Sequence, residues 1–210
     1  MPVVRHYFDY KSPYAYLAQA DTYDLARTAG VTVEWLPYTL KIEKYLGRAE
    51  LDSDGRDVVG TRNDHQWRRV RYAYMDCRRE ANRRGLTIRG PRKIFDSSIA
   101  HIAFLYVHER GDWRSFHDTV FARFWQRDLD LEDVVALTEV IAACGIDAAG
   151  LAAYLAGPGR VRHDAIQQAA EAAGVFGVPS YVVGGEWYWG LERLQRVRER
   201  LGHQPTGGGD

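Results

Sequence analysis

The sequence predicts an α/β protein whose small sheet is interrupted by a large helical block. Three observations predict it. A β-α-β pattern fills the first 37 residues, a long middle stretch shows helical periodicity without a convincing strand pattern, and an α-β-β-α pattern returns near the C-terminus.

Each element has a local cause. VVRHYF (3–8) reads as a short strand, and Ser12-Pro13 then places a capping serine before a proline at the first helical position. The helix runs to about Ala29 and stops at Gly30. In VTVEWLP, Val31, Val33 and Trp35 share one face of a second strand that ends at Pro37. Residues 49–60 form a polar loop. A helix is predicted from about Thr61 to Arg84, with Trp67, Val70, Tyr74, Cys77 and Ala81 on one face and Gly85 as its stop. Further helices are predicted from Ser97 or Ser98, over Phe116–Gln126, over Leu131–Ala143 and over Ala148–Ala156.

The last part returns to α/β. A helix over about 163–173 leads to the strand Tyr181–Val183, a Gly184-Gly185 turn, the returning strand Trp187–Trp189 and a final amphipathic helix Leu191–Leu201. GHQPTGGGD has the composition of a flexible tail. Joined, the outer pieces make a four-stranded thioredoxin fold interrupted after its second strand. The expected division is 1–40 and 161–202 for the two parts of that fold, 41–160 for the helical insertion and 203–210 for the tail.

Composition narrows the function. The 210 residues carry 28 basic and 28 acidic side chains, which argues against nucleic-acid recognition by bulk electrostatics. The charge is unevenly spread, because residues 62–93 hold eleven basic residues against Asp64, Asp76 and Glu80. A solvated helix face is the ordinary explanation of that run; Arg62 or Arg68 as the partner of a substrate carboxylate is the other. Cys77 and Cys144 form no CxxC, no thiolate zinc cluster and no disulfide framework. His101, His108, His117 and His163 lack a compact ligand spacing, so no metal site is expected. No signal core and no membrane span are read, and a cytoplasmic protein without membrane or nucleic-acid partners is the expectation.

YFDYKSPYAYLA (7–18) and GVFGVPSYVVGGEWYWGLERL (174–194) resemble the 2-hydroxychromene-2-carboxylate isomerase family, kin of the kappa-class glutathione transferases. The resemblance spans the chain and implies a DsbA-like thioredoxin fold with an inserted all-helical domain. It also implies glutathione, or another low-molecular-weight thiol, as cofactor. Oxidoreductases of this fold open the first helix with CxxC; Ser12-Pro13-Tyr14-Ala15 resembles that position with both sulfurs gone. A hydroxyl at a helix start cannot exchange disulfides, but it can stabilise the thiolate of a bound thiol, assisted by free amides and the helix dipole. The resemblance therefore implies Ser12 as the catalytic residue, activating a cofactor's sulfur.

It further implies a cis Val178-Pro179 bond, with the Val178 main chain pairing to the cysteinyl part of glutathione. The last helix start is implied to meet the γ-glutamyl end, with Leu191 offering an amide and Glu192 facing the ammonium. Relatives carry an asparagine after the second strand; Asn63 is the candidate for that role here. Tyr10 and Lys11 are candidate substrate contacts beside Ser12, the alternative being a solvated βα loop, and Trp67 is a candidate cleft wall, the alternative being a core residue. The expected function is a thiol-dependent isomerase of small anionic, aromatic, unsaturated acids, in a homodimer as the resemblance implies. The alternatives are a kappa-like glutathione transferase, a DsbA-family disulfide oxidoreductase, which the missing CxxC opposes, and a non-catalytic protein that binds a thiol or small ligand.

Overall fold

The computed structural model describes residues 1–202; the expected flexible tail, 203–210, lies outside the described residues. The chain opens with β1 (Val3–Phe8), α1 (Pro13–Ala29) and β2 (Thr32–Pro37). The helical insertion follows as α2 (Glu43–Leu46), α3 (Asp64–Arg83), α4 (Ser98–His108), α5 (Trp113–Gln126), α6 (Val134–Ala143) and α7 (Leu151–Ala156). The chain then forms α8 (Pro158–Ala172), β3 (Ser180–Val183), β4 (Glu186–Trp189), a 3-10 turn (Leu191–Arg193) and α9 (Leu194–Gly202). The sheet order is β2-β1-β3-β4, with β1 and β2 parallel and the other neighbours antiparallel. This is the DsbA-like thioredoxin fold with an inserted helical subdomain. Among the described residues no helix is long and apolar enough to cross a membrane.

The local signals act where they were read. Ser12 caps α1 and Gly30 ends it in the left-handed region at φ 60°, where glycine carries no Cβ penalty. Two differences have physical causes. Helix α8 starts at Pro158, five residues before the expected start, because proline sits at a first helical position and lacks only an amide that would be unpaired there. The final helix is split, since Gly190 at φ 110° turns the chain into a 3-10 segment before α9.

One sheet face is buried. Val4, His6 and Phe8 alternate onto it and meet Trp35 from β2, Tyr181 and Val183 from β3, Leu25 from α1 and Phe121 from α5. The other face carries the exposed Arg5–Glu34 ion pair at 3.3 Å. His6 is the polar exception on the buried side. It stacks on Tyr181 at 4.7 Å and meets Trp35 edge-on, and neither ring nitrogen makes a hydrogen bond of ordinary geometry. Burial pushes its imidazole down to about 3, an effect that the Ser180 backbone offsets only in part.

A histidine with a depressed folded pKa binds its proton more readily when unfolded. Stability is therefore lost as pH falls from about 6.5 towards 3, the interval between the two values. His6→Phe is expected to gain about 2 kcal/mol more stability at pH 5 than at pH 8. Urea denaturation at the two pH values checks this; an equal gain at both would assign the effect to packing.

Candidate functional site

The β1–α1 loop and the loop before β3 form the centre of the site. Ser12 has extended backbone (φ −93°, ψ 114°) and its Oγ accepts from the Ala15 amide at 3.2 Å, the ordinary capping bond. The same hydroxyl donates to the Val178 carbonyl at 3.3 Å. The Val178-Pro179 bond is cis, and this loop lies across the start of α1. Ser180 Oγ donates to Gly177 O at 2.6 Å and ties the loop down. Gly177 is required by close packing, because a Cβ there would lie 2.6 Å from Trp189 Nε1.

These groups open into a cleft of about 1680 Å³ bounded by α3, the 90–95 segment and Phe176–Val178. Helix α3 is held beside α1 by the Tyr14 hydroxyl, which donates to Asp76 at 2.9 Å, and by Arg84, which reaches Asp21 at 2.8 Å and the Leu17 carbonyl at 3.0 Å. Aromatic walls come from Trp67, Tyr74, Phe95, Phe176 and Trp189. Ten lysine and arginine residues border the cleft and no Asp or Glu does. Arg62 lies over Trp67 at 4.9 Å and donates to Leu46 O at 3.0 Å, so its guanidinium is oriented rather than free. The basic run of residues 62–93 is thus largely a cleft wall, although several of its arginines are also solvated.

Lys11 also borders the cleft although its side chain is only 4% exposed. Its ammonium donates to Ser97 Oγ at 3.0 Å and lies 3.4 Å from Asp9 Oδ2. Asp9 is fully buried and accepts from the Lys11 amide at 3.0 Å and the Leu40 amide at 2.8 Å. Burial alone would raise its carboxyl, but Lys11, His101 and the Leu40 amide outweigh burial and hold it below the usual carboxylate range. Nothing in the sequence reading gave Asp9 a task; its position, three residues before the capping serine at a strand end, was the available signal.

Several expected site residues lie elsewhere. Tyr10 does not reach the cleft: it is fully buried, and its hydroxyl pairs with His117 Nδ1 at 3.0 Å. Just past the end of β1, the Tyr10 ring packs edge-on against Phe8 and Phe121 in the core. Asn63 is the N-cap of α3 and forms a reciprocal capping box with Gln66, at 2.9 Å in both directions, outside the cleft lining. Leu191 and Glu192 border a separate depression with Asp21, Asp76, Glu80, Arg84 and Arg198. Tyr14 borders both cavities, so that depression lies one side chain from the cleft. Neither cysteine borders the cleft. Cys77 is buried and its thiol is pushed up to about 11, first by burial; Cys144 caps α6 and is raised by burial too.

The residues present fit a small extended thiol. Ser12 offers a hydroxyl at a helix start, Val178 offers main chain beside it, and cations without carboxylates surround the space. No sulfur of this chain stands at the start of α1, so dithiol exchange has no donor there.

The chain is 28% identical over 196 residues to 2-hydroxychromene-2-carboxylate isomerase of Sphingobium xenophagum, covering 93% of this chain and 95% of that one. A solved 2-hydroxychromene-2-carboxylate isomerase superposes with a TM-score of 0.72 at 25% identity, over 95% of this chain and 94% of the other. The cytosolic disulfide reductase DsbM from Pseudomonas aeruginosa with GSH shares the fold at a TM-score of 0.59 and 14% identity, over 95% and 97% of the two chains. The model of the DSBA-like thioredoxin domain matches residues 3–202, so the chain belongs to that family and is homologous to 2-hydroxychromene-2-carboxylate isomerase within it.

Proposed function

We propose that this chain is a glutathione- or other thiol-dependent isomerase of small, anionic, unsaturated aromatic acids. The observation that carries the reading is Ser12 Oγ, poised between its capping bond and the Val178 carbonyl, at the floor of a basic cleft without carboxylates. Homology to the Sphingobium isomerase supports the substrate class, and the GSH held by the DsbM relative supports the thiol.

The bound thiolate would supply reversible addition to a conjugated carbon, which frees a double bond to rotate. The chain's own residues do the rest. The Ser12 hydroxyl turns from Val178 O to donate towards the sulfur, where the start of α1 also favours negative charge. The Val178 main chain orients the thiol's backbone. Arg62, fixed over Trp67, receives the substrate carboxylate, and the aromatic walls hold its ring. The Lys11 ammonium faces the carbonyl oxygen as electron density grows on it.

Incubation with 2-hydroxychromene-2-carboxylate, followed by absorbance with and without glutathione, tests the reading. Interconversion that is faster than the uncatalysed rate and needs the thiol is expected. An unchanged rate across a panel of cellular thiols would remove the proposal.

A further inference from the structure

Behind Lys11, a line of polar groups continues through the buried Asp9, His101 and His163 and the half-buried Thr39. Asp9 Oδ1 lies 3.3 Å from His101 Nε2 of α4. His101 Nδ1 lies 2.9 Å from Thr39 Oγ1, and the same hydroxyl lies 2.9 Å from His163 Nε2 of α8. His163 Nδ1 reaches Asp164 at 3.0 Å, and Asp164 is 54% exposed and outside the cleft lining. We propose that Asp9, His101, Thr39 and His163 form a proton relay that joins the Lys11 ammonium to solvent on the side away from the cleft. The proposal rests on the functional reading in giving Lys11 an acid–base task.

From Asp9 to His163 Nε2 the donors and acceptors fit two states of the line, and the outer bond from His163 Nδ1 to Asp164 is made in the second. With Asp9 ionised, His101 holds its proton on Nε2 and donates to the carboxylate, Thr39 donates to Nδ1, and His163 donates to Thr39. In the second state each proton has moved one place towards Asp9, and Nε2 of His101 is bare. A partner for that bare nitrogen is already present, since the Tyr10 amide points at it from 3.4 Å. One ring nitrogen thus has an acceptor for one tautomer and a donor for the other.

The balance is as follows. Lys11 gives a proton from Nζ to the substrate's carbonyl oxygen, which leaves a neutral amine beside the Asp9 carboxylate. The N–H bond of His163 Nε2 breaks as Thr39 takes that proton, Thr39 passes its own to His101 Nδ1, and His101 passes its Nε2 proton to Asp9. Solvent supplies one proton to His163 Nδ1, which then donates to the Asp164 carboxylate. One proton enters at the surface for one that leaves in the cleft, and the return step reverses the line. Lys11 is the strongest influence that keeps Asp9 ionised; once the ammonium is neutral, burial favours the protonated acid. Burial also lowers His101 despite the neighbouring carboxylate, which keeps it in the neutral form that a tautomer shift needs. The other groups that face this line are Asp96, which lies near both Lys11 and Arg160, Tyr45 near Asp9, and the Tyr10–His117 pair against His101.

Nitrogen spectra of 15N-histidine in the free protein test the line without any activity. At neutral pH His101 is expected as the Nε2–H tautomer in the wild type and as Nδ1–H in Asp9→Asn; Nδ1–H in both overturns the relay. With 2-hydroxychromene-2-carboxylate and glutathione, Thr39→Val is expected to lose roughly tenfold or more in kcat, with KM changed by less than about twofold. Thr39→Ser restores the hydroxyl and the rate, whereas a merely structural role does not move kcat alone. Thr39→Val with kcat within about twofold of wild type overturns the relay. A wild-type chain that turns over no acid overturns the functional reading instead, and the relay then stands or falls on the His101 tautomer.

Discussion

Ser12→Ala is expected to lower the rate of thiol-dependent isomerisation by about a hundredfold, the usual effect of removing one preorganised donor from a developing or bound anion. The hydroxyl has two tasks, as it accepts from the Ala15 amide at 3.2 Å and donates to Val178 O at 3.3 Å. Loss of the capping bond costs about 1 kcal/mol of stability and leaves the protein folded. Loss of the donor raises the pKa of a bound thiol towards its free value. Titration of the thiolate absorbance at saturating glutathione separates the two, with Ser12→Thr as the variant that keeps the hydroxyl. Equal thiol midpoints in wild type and Ser12→Ala would take Ser12 out of thiol activation.

Asp9→Asn is expected to destabilise the fold by about 3 kcal/mol at neutral pH, because it leaves the Lys11 ammonium buried without its counter-charge. An asparagine also places an amide donor where one of the Leu40 and Lys11 amide donors needs an acceptor. Adding Lys11→Met is expected to recover most of the loss, so the cycle yields a large coupling. The sign with pH follows from a carboxyl held below its ordinary value of 3.8: its contribution is complete above about pH 4 and is lost as pH falls through the lower folded value. The gap between wild type and Asp9→Asn therefore narrows in acid. Urea denaturation across that range measures it, and a gap that widens in acid would contradict the assignment.

Much of the scaffold was legible because its signals are local. The Ser12-Pro13 start, the Gly30 stop and the Gly184-Gly185 turn act over four residues or fewer, and each sits where the structure needs it. Trp67 of α3 and Arg62 just before that helix both border the cleft. Asn63 is held in a capping box outside the cleft lining, and that signal is local, since N-x-x-Q at a helix start reads as one. Tyr10 lies beyond the end of β1, and its burial comes from packing against Phe8, His117 and Phe121 rather than from a local signal.

The remaining site residues had no local signal. His101 and His163 stand 62 and 124 positions from Thr39, and only the packing of α4 and α8 behind β2 brings both rings to one hydroxyl. Leu191 and Glu192 fall into their own depression because Gly190 turns the chain before α9. The sequence by itself determined an interrupted α/β fold and a serine where this fold can carry a cysteine, since caps, periods and residue identity are properties of short stretches. Tertiary structure alone decided that a basic helix lines a cleft and that Lys11 in its wall meets the buried Asp9 behind it. The physical reason is that buried charge and polar groups must find partners, and those partners come from segments far apart in the chain.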